Sequence, residues 1–149
     1  MAGDQENDVQ FASALAADLR ATIGRLKRRL QEQSGASDLT SSQITVLVRL
    51  DKEGPATASA LARAEKMRPQ SMSAILASLE EAGMVVGSAD PHDGRKTLIS
   101  LTKLCKRWID VGRAARQDWL TRAVREHLSP AEQKRVAAAL PLIKRLAEK

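Results

Sequence analysis

The chain has 149 residues, 43% of them hydrophobic and only 2% aromatic, and a formal net charge of +6 from 24 Lys+Arg against 18 Asp+Glu. One cysteine and two histidines exclude a disulfide framework and a Cys/His-rich zinc site. No apolar run approaches the roughly 18 residues of a membrane span, and the N-terminus lacks a basic-then-apolar leader pattern, so a cytoplasmic chain without a membrane partner is expected.

The elements follow in chain order. Phe11, Leu15, Leu19, Ile23, Leu26 and Leu30 recur every three or four residues, which predicts one long helix with a single apolar stripe, ending near a loop at Ser34–Ser37. Thr40-Ser41-Ser42-Gln43 has the form of a capping box, and Ile44, Leu47, Val48 and Leu50 are expected on one face of the helix it opens. Gly54-Pro55 stops that helix. An alanine-rich helix anchored by Leu61 is expected from about Thr57 to Glu65. Pro69 suits a first helical position, Met72, Ile75, Leu76 and Leu79 continue as a core stripe, and Gly83 closes the helix.

A non-helical island comes next. Met84-Val85-Val86 and the β-prone Thr97–Leu101 flank the turn-rich Asp90-Pro91-His92-Asp93-Gly94, which predicts a β-hairpin. Thr102 can cap a long helix bearing Leu104, Trp108, Val111, Ala115 and Trp119 and running to about Leu128. Ser129-Pro130-Ala131-Glu132 is a second capping box, opening a last helix with Val136, Leu140, Ile143 and Leu146. The chain therefore reads as mainly α with a small β-hairpin, and residues 40–101 have the layout of a winged helix-turn-helix.

Three segments sharpen this: Leu79-Glu80-Glu81-Ala82-Gly83-Met84-Val85, then Asp90-Pro91-His92-Asp93-Gly94-Arg95, then Leu101-Thr102. Together they resemble the signature of the MarR family of bacterial transcription regulators, and the flanking helices and the length also fit. Two departures are Cys105, where the family often has glycine, and Gly94, often arginine in relatives. The resemblance implies a winged helix-turn-helix DNA-binding lobe over 38–102. It also implies a helical dimerisation lobe from 8–37 and 103–149, the whole being one intertwined domain. A homodimer agrees with apolar stripes longer than a small lobe can cover, and would carry twice the +6 charge.

Double-stranded DNA is the expected partner, read as an imperfect palindrome by a repressor. Arg68 can form a bidentate contact to guanine, Gln70 can read adenine, and Ser71 or Ser73 can reach bases or phosphate, with Pro69 starting the helix. Asp93 and Arg95 match the family pair in which the acid steadies an arginine entering the minor groove, and Lys96 is a phosphate contact. His92 is expected as an exposed tip residue and Asp90-Pro91 as a shaper of the turn. Relatives commonly bind small aromatic effectors. Trp108 and Trp119, three turns apart on one helix face, either line such a site or pack in the dimer core, with Arg49, Arg20 and Thr45 as polar contacts. Cys105 reads as a half-buried structural thiol rather than a redox sensor. No phosphate loop, carboxylate pair or nucleophile triad supports an enzyme or a cofactor. The alternative to a DNA-binding regulator is a protein-interaction module of the same fold.

Overall fold

The computed structural model describes residues 1–35 and 38–149. Ala36 and Ser37, the second half of the loop expected at Ser34–Ser37, lie outside the described residues. The elements are α1 (Ala2–Gln33), α2 (Ser41–Glu53), β1 (Ala56–Thr57), α3 (Ala58–Ala64), α4 (Pro69–Glu81), β2 (Val85–Ala89), β3 (Thr97–Leu101), α5 (Lys103–His127) and α6 (Pro130–Ala147). They group into two compact units, Ser37–Val111, and Met1–Ala36 with Gly112–Lys149.

In the first unit, local chemistry sets the helix ends. Thr40 Oγ1 accepts from Gln43 N at 3.2 Å while Gln43 Oε1 accepts from Thr40 N at 2.7 Å, the reciprocal pair of a capping box. Gly54 and Gly83, with φ of 83° and 74°, end α2 and α4 in backbone that side-chain-bearing residues avoid. Thr102 Oγ1 accepts from Cys105 N at 3.1 Å and donates to the Gly83 carbonyl at 2.6 Å, capping α5 and tying its start to the end of α4.

The core of this unit is Val46, Leu47, Leu50, Leu61, Met72, Leu76, Leu79, Val85 and Cys105, with Ile75, Met84, Trp108 and Ile109 packed against it. Two expectations need correction. The buried face of α2 carries Val46 with Leu47 and Leu50, while Ile44 and Val48 are exposed. Residues 43, 46, 47 and 50 follow the helical i, i+3, i+4, i+7 stripe, and Ile44 and Val48 lie beside it. The sheet has three strands rather than two, in the order β1-β3-β2. The two-residue β1 pairs Ala56 with Ile99 and Thr57 with Leu98, and β2 pairs with β3 from Val85↔Leu101 to Ala89↔Thr97. Because Thr57 serves as strand end and as the cap of α3 (it accepts from Ala60 N at 3.2 Å), too few residues are extended for alternation to reveal β1. Core packing places the first part of α5, with Cys105, Trp108 and Ile109, in this unit.

The second unit is all helical. Gly112 is buried on α5, and a Cβ there would meet the Ser34 side chain at an ordinary contact distance of 3.7 Å, which places the end of α1 against α5. Arg116 then donates to Ser34 Oγ at 2.5 Å. The Arg29 guanidinium lies 5.6 Å from the centroid of the Trp119 ring, within cation–π range. Ser129 caps α6 in a second box: its hydroxyl accepts from Glu132 N at 3.2 Å, and Glu132 Oε1 accepts from Ser129 N at 2.9 Å. Ser129→Ala is expected to cost about 1 kcal/mol, a fall in Tm of roughly 2–4 °C. The Ser129 backbone N–H, then its hydroxyl, hold the Glu132 carboxyl below its ordinary value of 4.5. The box thus contributes stability above that pH and loses it as pH falls through the depressed value. Glu132→Gln, whose amide oxygen can take the same backbone bond without titrating, should have a melting curve that lies below the wild-type curve at neutral pH and meets it in acid.

Candidate nucleic-acid interface

The short connection from α3 to α4 is tight. Glu65 ends α3, Lys66 takes φ of 52°, and Met67 N donates back to the Ala62 carbonyl at 2.8 Å. This is a Schellman-type closure with lysine in the place that favours glycine. Arg68 follows in extended backbone, its carbonyl accepting from Met72 N at 3.1 Å, and Pro69 starts the helix. Arg68 makes no side-chain cap bond, so the first N–H groups of α4 face outward with the positive end of the helix dipole.

The two faces of α4 are cleanly divided. Met72, Leu76 and Leu79 are buried, whereas Arg68, Pro69, Gln70, Ser71 and Ser73 are exposed. The core therefore holds one side of the helix and presents the other, beginning at its N-terminal turn. Ala74 and Ala77 on the exposed side are small, which leaves the first turn as the part that can reach far.

The wing is stiffened by its own acids. Asp90 Oδ1 accepts from His92 N at 2.8 Å and Asp93 Oδ1 from Arg95 N at 3.1 Å. Asp90 N donates to the Lys96 carbonyl at 2.9 Å, and Lys96 N to the Asp93 carbonyl at 3.0 Å. Asp93 thus steadies Arg95 through its backbone N–H. The guanidinium of Arg95, the ammonium of Lys96 and His92 are exposed. Among the described residues, the side chains of Arg68, Arg95 and Lys96 enter no ion pair.

Charge is divided unevenly between the two units. The Ser37–Val111 unit holds ten Lys/Arg against nine Asp/Glu, a net of +1, and the helical unit carries the remaining +5. Attraction of a polyanion to the winged unit must therefore come from local placement of cations rather than from its net charge.

The residues expected to contact an effector are divided between the two units. Trp108 packs on the core of the winged unit, and Trp119 lies in the helical unit beneath Arg29. Arg49 is committed to Glu65 and Glu53, and Thr45 Oγ1 donates to the Ser41 carbonyl at 2.9 Å. Arg20 borders a groove with Leu19, Ile23, Ile143 and Leu146. Cys105 is fully rather than half buried, and burial, then the charge of Asp51, pushes its thiol pKa up. Its alkylation by a neutral thiol reagent at pH 7 is expected to run on the order of 100-fold slower in the native protein than in denaturant. Equal rates would show an accessible thiol.

Sequence reasoning missed two side-chain ties. Gln43 Nε2 donates to Ser78 Oγ at 2.8 Å, and Arg49 Nε donates to Glu65 Oε1 at 2.5 Å. Their partners lie 35 and 16 residues apart, and no periodic pattern connects them.

A three-helix core with an exposed, uncapped start to α4 and a three-stranded wing defines a winged helix-turn-helix protein. The model of the MarR family matches residues 39–97. An HTH-type transcriptional regulator of Mycobacterium bovis is 39% identical over 106 residues, covering 71% of this chain and 74% of that protein. A Pseudomonas aeruginosa PA01 protein described as a transcriptional regulator candidate is 40% identical, with a TM-score of 0.79 over 91% of this chain and 94% of its own. A variant of S. aureus MepR, solved bound to an oligodeoxyribonucleotide, shares the fold at 19% identity, with a TM-score of 0.70 over 90% of this chain and 98% of its own. The chain belongs to the MarR family, and is a helix-turn-helix transcriptional regulator rather than an enzyme. Among the described residues, no helix is long and apolar enough to cross a membrane, and no group of three His, Cys, Asp or Glu could hold a metal ion.

Proposed function

We propose that this regulator is a homodimeric repressor that reads a pseudo-palindromic operator, with the start of α4 in the major groove and the wing in the minor groove. The observation that carries this reading is the division of α4, buried on one face and displaying Arg68, Gln70, Ser71 and Ser73 on the other. Arg68 is suited to the O6/N7 edge of guanine and Gln70 to the N6/N7 edge of adenine, while the serines and the free N–H groups suit phosphate. Arg95 and Lys96 sit at the wing turn, where a narrow minor groove concentrates negative potential. MepR bound to an oligodeoxyribonucleotide shows that the shared fold can engage DNA.

Support for the dimer comes from the helical unit. Leu15, Leu19, Leu142, Ile143 and Leu146 line apolar grooves of about 540 and 450 Å³ between α1 and α6, and α6 buries none of its side chains among the described residues. An apolar face of this kind is a surface for association, and a second copy of the chain is the occupant that also pairs two recognition helices. A small aromatic effector completes the reading. Arg49 bonds Glu65 and Glu53 through Nε and Nη1, and Thr45 bonds Ser41 within the winged unit, so Trp108, Trp119 and Arg20 are the stronger effector candidates.

Selection of bound fragments from the source genome tests the proposal. Recovered fragments should share an inverted repeat whose half-site centres lie about 10–10.5 bp apart or a multiple of that, and their release by a small aromatic compound would identify the effector. Recovery of no fragment, or of fragments without a common sequence, would favour a protein-interaction module of the same fold.

A further inference from the structure

The geometry points to Arg49 and Gln43 of α2 as positioning residues for DNA reading, which fix the turn leading into the recognition helix α4 and the later part of that helix through Glu65 and Ser78. This rests on the proposed DNA-binding function and adds residues that make no DNA contact in it.

Apolar packing holds α4 against α2 and α3 but is non-directional, so a helix can roll or slide on it with little change in buried area. Side-chain hydrogen bonds restrict such motion because they have a preferred distance and angle. The first tie lies just before α4. Arg49 Nε donates to Glu65 Oε1 at 2.5 Å, and Arg49 Nη1 to Glu53 Oε1 at 2.8 Å. Glu65 is the last residue of the α3 end and is largely buried, at 14% side-chain exposure. The next residue, Lys66, occupies the left-handed region, a conformation that persists in a non-glycine residue only when its surroundings impose it. Arg49 therefore grips the strained turn from which Arg68 and Gln70 emerge.

The second tie lies toward the other end of α4. Gln43 Nε2 donates to Ser78 Oγ at 2.8 Å, and Ser78 Oγ donates to the Ile75 carbonyl at 2.7 Å. The Gln43 carbonyl oxygen is already occupied by Thr40 N at 2.7 Å, so the amide can face Ser78 in one orientation only. The same side chain caps α2 and pins α4. One helix thus ties both the turn that leads into the reading helix and the later part of that helix itself, with polar bonds that flank the apolar core.

The test measures affinity for a selected operator and for a scrambled duplex across a salt series, with thermal melting as the fold control. The variants are Arg49→Met, Glu65→Met, their double, the milder Glu65→Gln, and Ser78→Ala, which leaves the capping box of α2 intact. The expected result is a roughly tenfold loss on the operator for Arg49→Met and Glu65→Met, and no further loss in the double. Affinity for scrambled DNA and the salt slope should stay at wild-type values, and Glu65→Gln and Ser78→Ala should lower the operator-to-scrambled ratio in the same sense. Equal losses on both duplexes, with a shallower salt slope for Arg49→Met, would overturn the inference by making Arg49 a phosphate contact. An unchanged ratio in folded Glu65→Gln and Ser78→Ala would overturn it as well. Wild-type protein with no preference for any duplex would instead sink the DNA-binding reading itself.

Discussion

Arg68→Ala is expected to weaken operator binding by about 1–3 kcal/mol per half-site, and to relax base preference at the position it reads. A dimer using both copies would lose roughly twice that. The loss should fall on the cognate sequence far more than on random DNA, because a bidentate contact to a base edge carries sequence information and a phosphate contact does not. Arg95→Ala should act differently. Its guanidinium is exposed at the wing and placed by the Asp93 bond to its backbone N–H. Its removal should cost about tenfold in affinity or more, most where the contacted minor groove is narrow and A·T-rich. Because the winged unit has a net charge of only +1, that unit has little diffuse attraction of its own to fall back on. The double variant should therefore approach non-specific affinity. Equilibrium titrations on one operator and its half-site mutants measure both effects, and wild-type affinity in the double variant would refute the assigned interface.

Ile143→Asp is expected to have the second large effect. Ile143 borders both apolar grooves of the helical unit, with Leu19 and Leu146. At 38% exposed it is free to take a charge in an isolated chain at modest cost, whereas a carboxylate sealed in a dimer interface without a partner costs several kcal/mol. Analytical ultracentrifugation should find a folded monomer, with melting of the winged unit little changed. Operator affinity should collapse, because two half-sites are no longer bound as one event. A dimer that survives this change with wild-type affinity would place the interface elsewhere.

Both effects concern features that were partly legible in the sequence, and the pattern of what was legible has a physical basis. The capping boxes at Thr40–Gln43 and Ser129–Glu132, the left-handed Gly54 and Gly83, and the Thr102 cap are local events. Each is decided by residues within four positions of one another, so sequence displays them directly. The buried stripe of α4 was equally plain, because Met72, Leu76 and Leu79 repeat at helical spacing. The face of α2 was harder. Ile44 and Val48 are as apolar as Val46, and only the packed neighbours decide which residue turns inward. The strand β1 escaped notice because two residues cannot show alternation.

The ties from Arg49 to Glu65 and from Gln43 to Ser78 could not be read at all, since they depend on how α2 meets α3 and α4 in space. Arg49, expected as a polar contact to an effector, is instead bonded to Glu65 and Glu53. Total charge was the least informative quantity. The +6 concentrates in the helical unit, while the proposed reading surface relies on three individually placed cations, Arg68, Arg95 and Lys96.

Hydroxyl-radical footprinting of the wild-type protein on a selected operator measures the proposed mode of binding most directly. A dimer that sets two α4 helices in successive major grooves and two wings in the flanking minor grooves predicts a twofold-symmetric pattern, its halves about one helical turn apart. The outer protections, those beneath the wings, should vanish in Arg95→Ala. A single asymmetric protected patch, or protection that stays the same when Arg95 is removed, would contradict it.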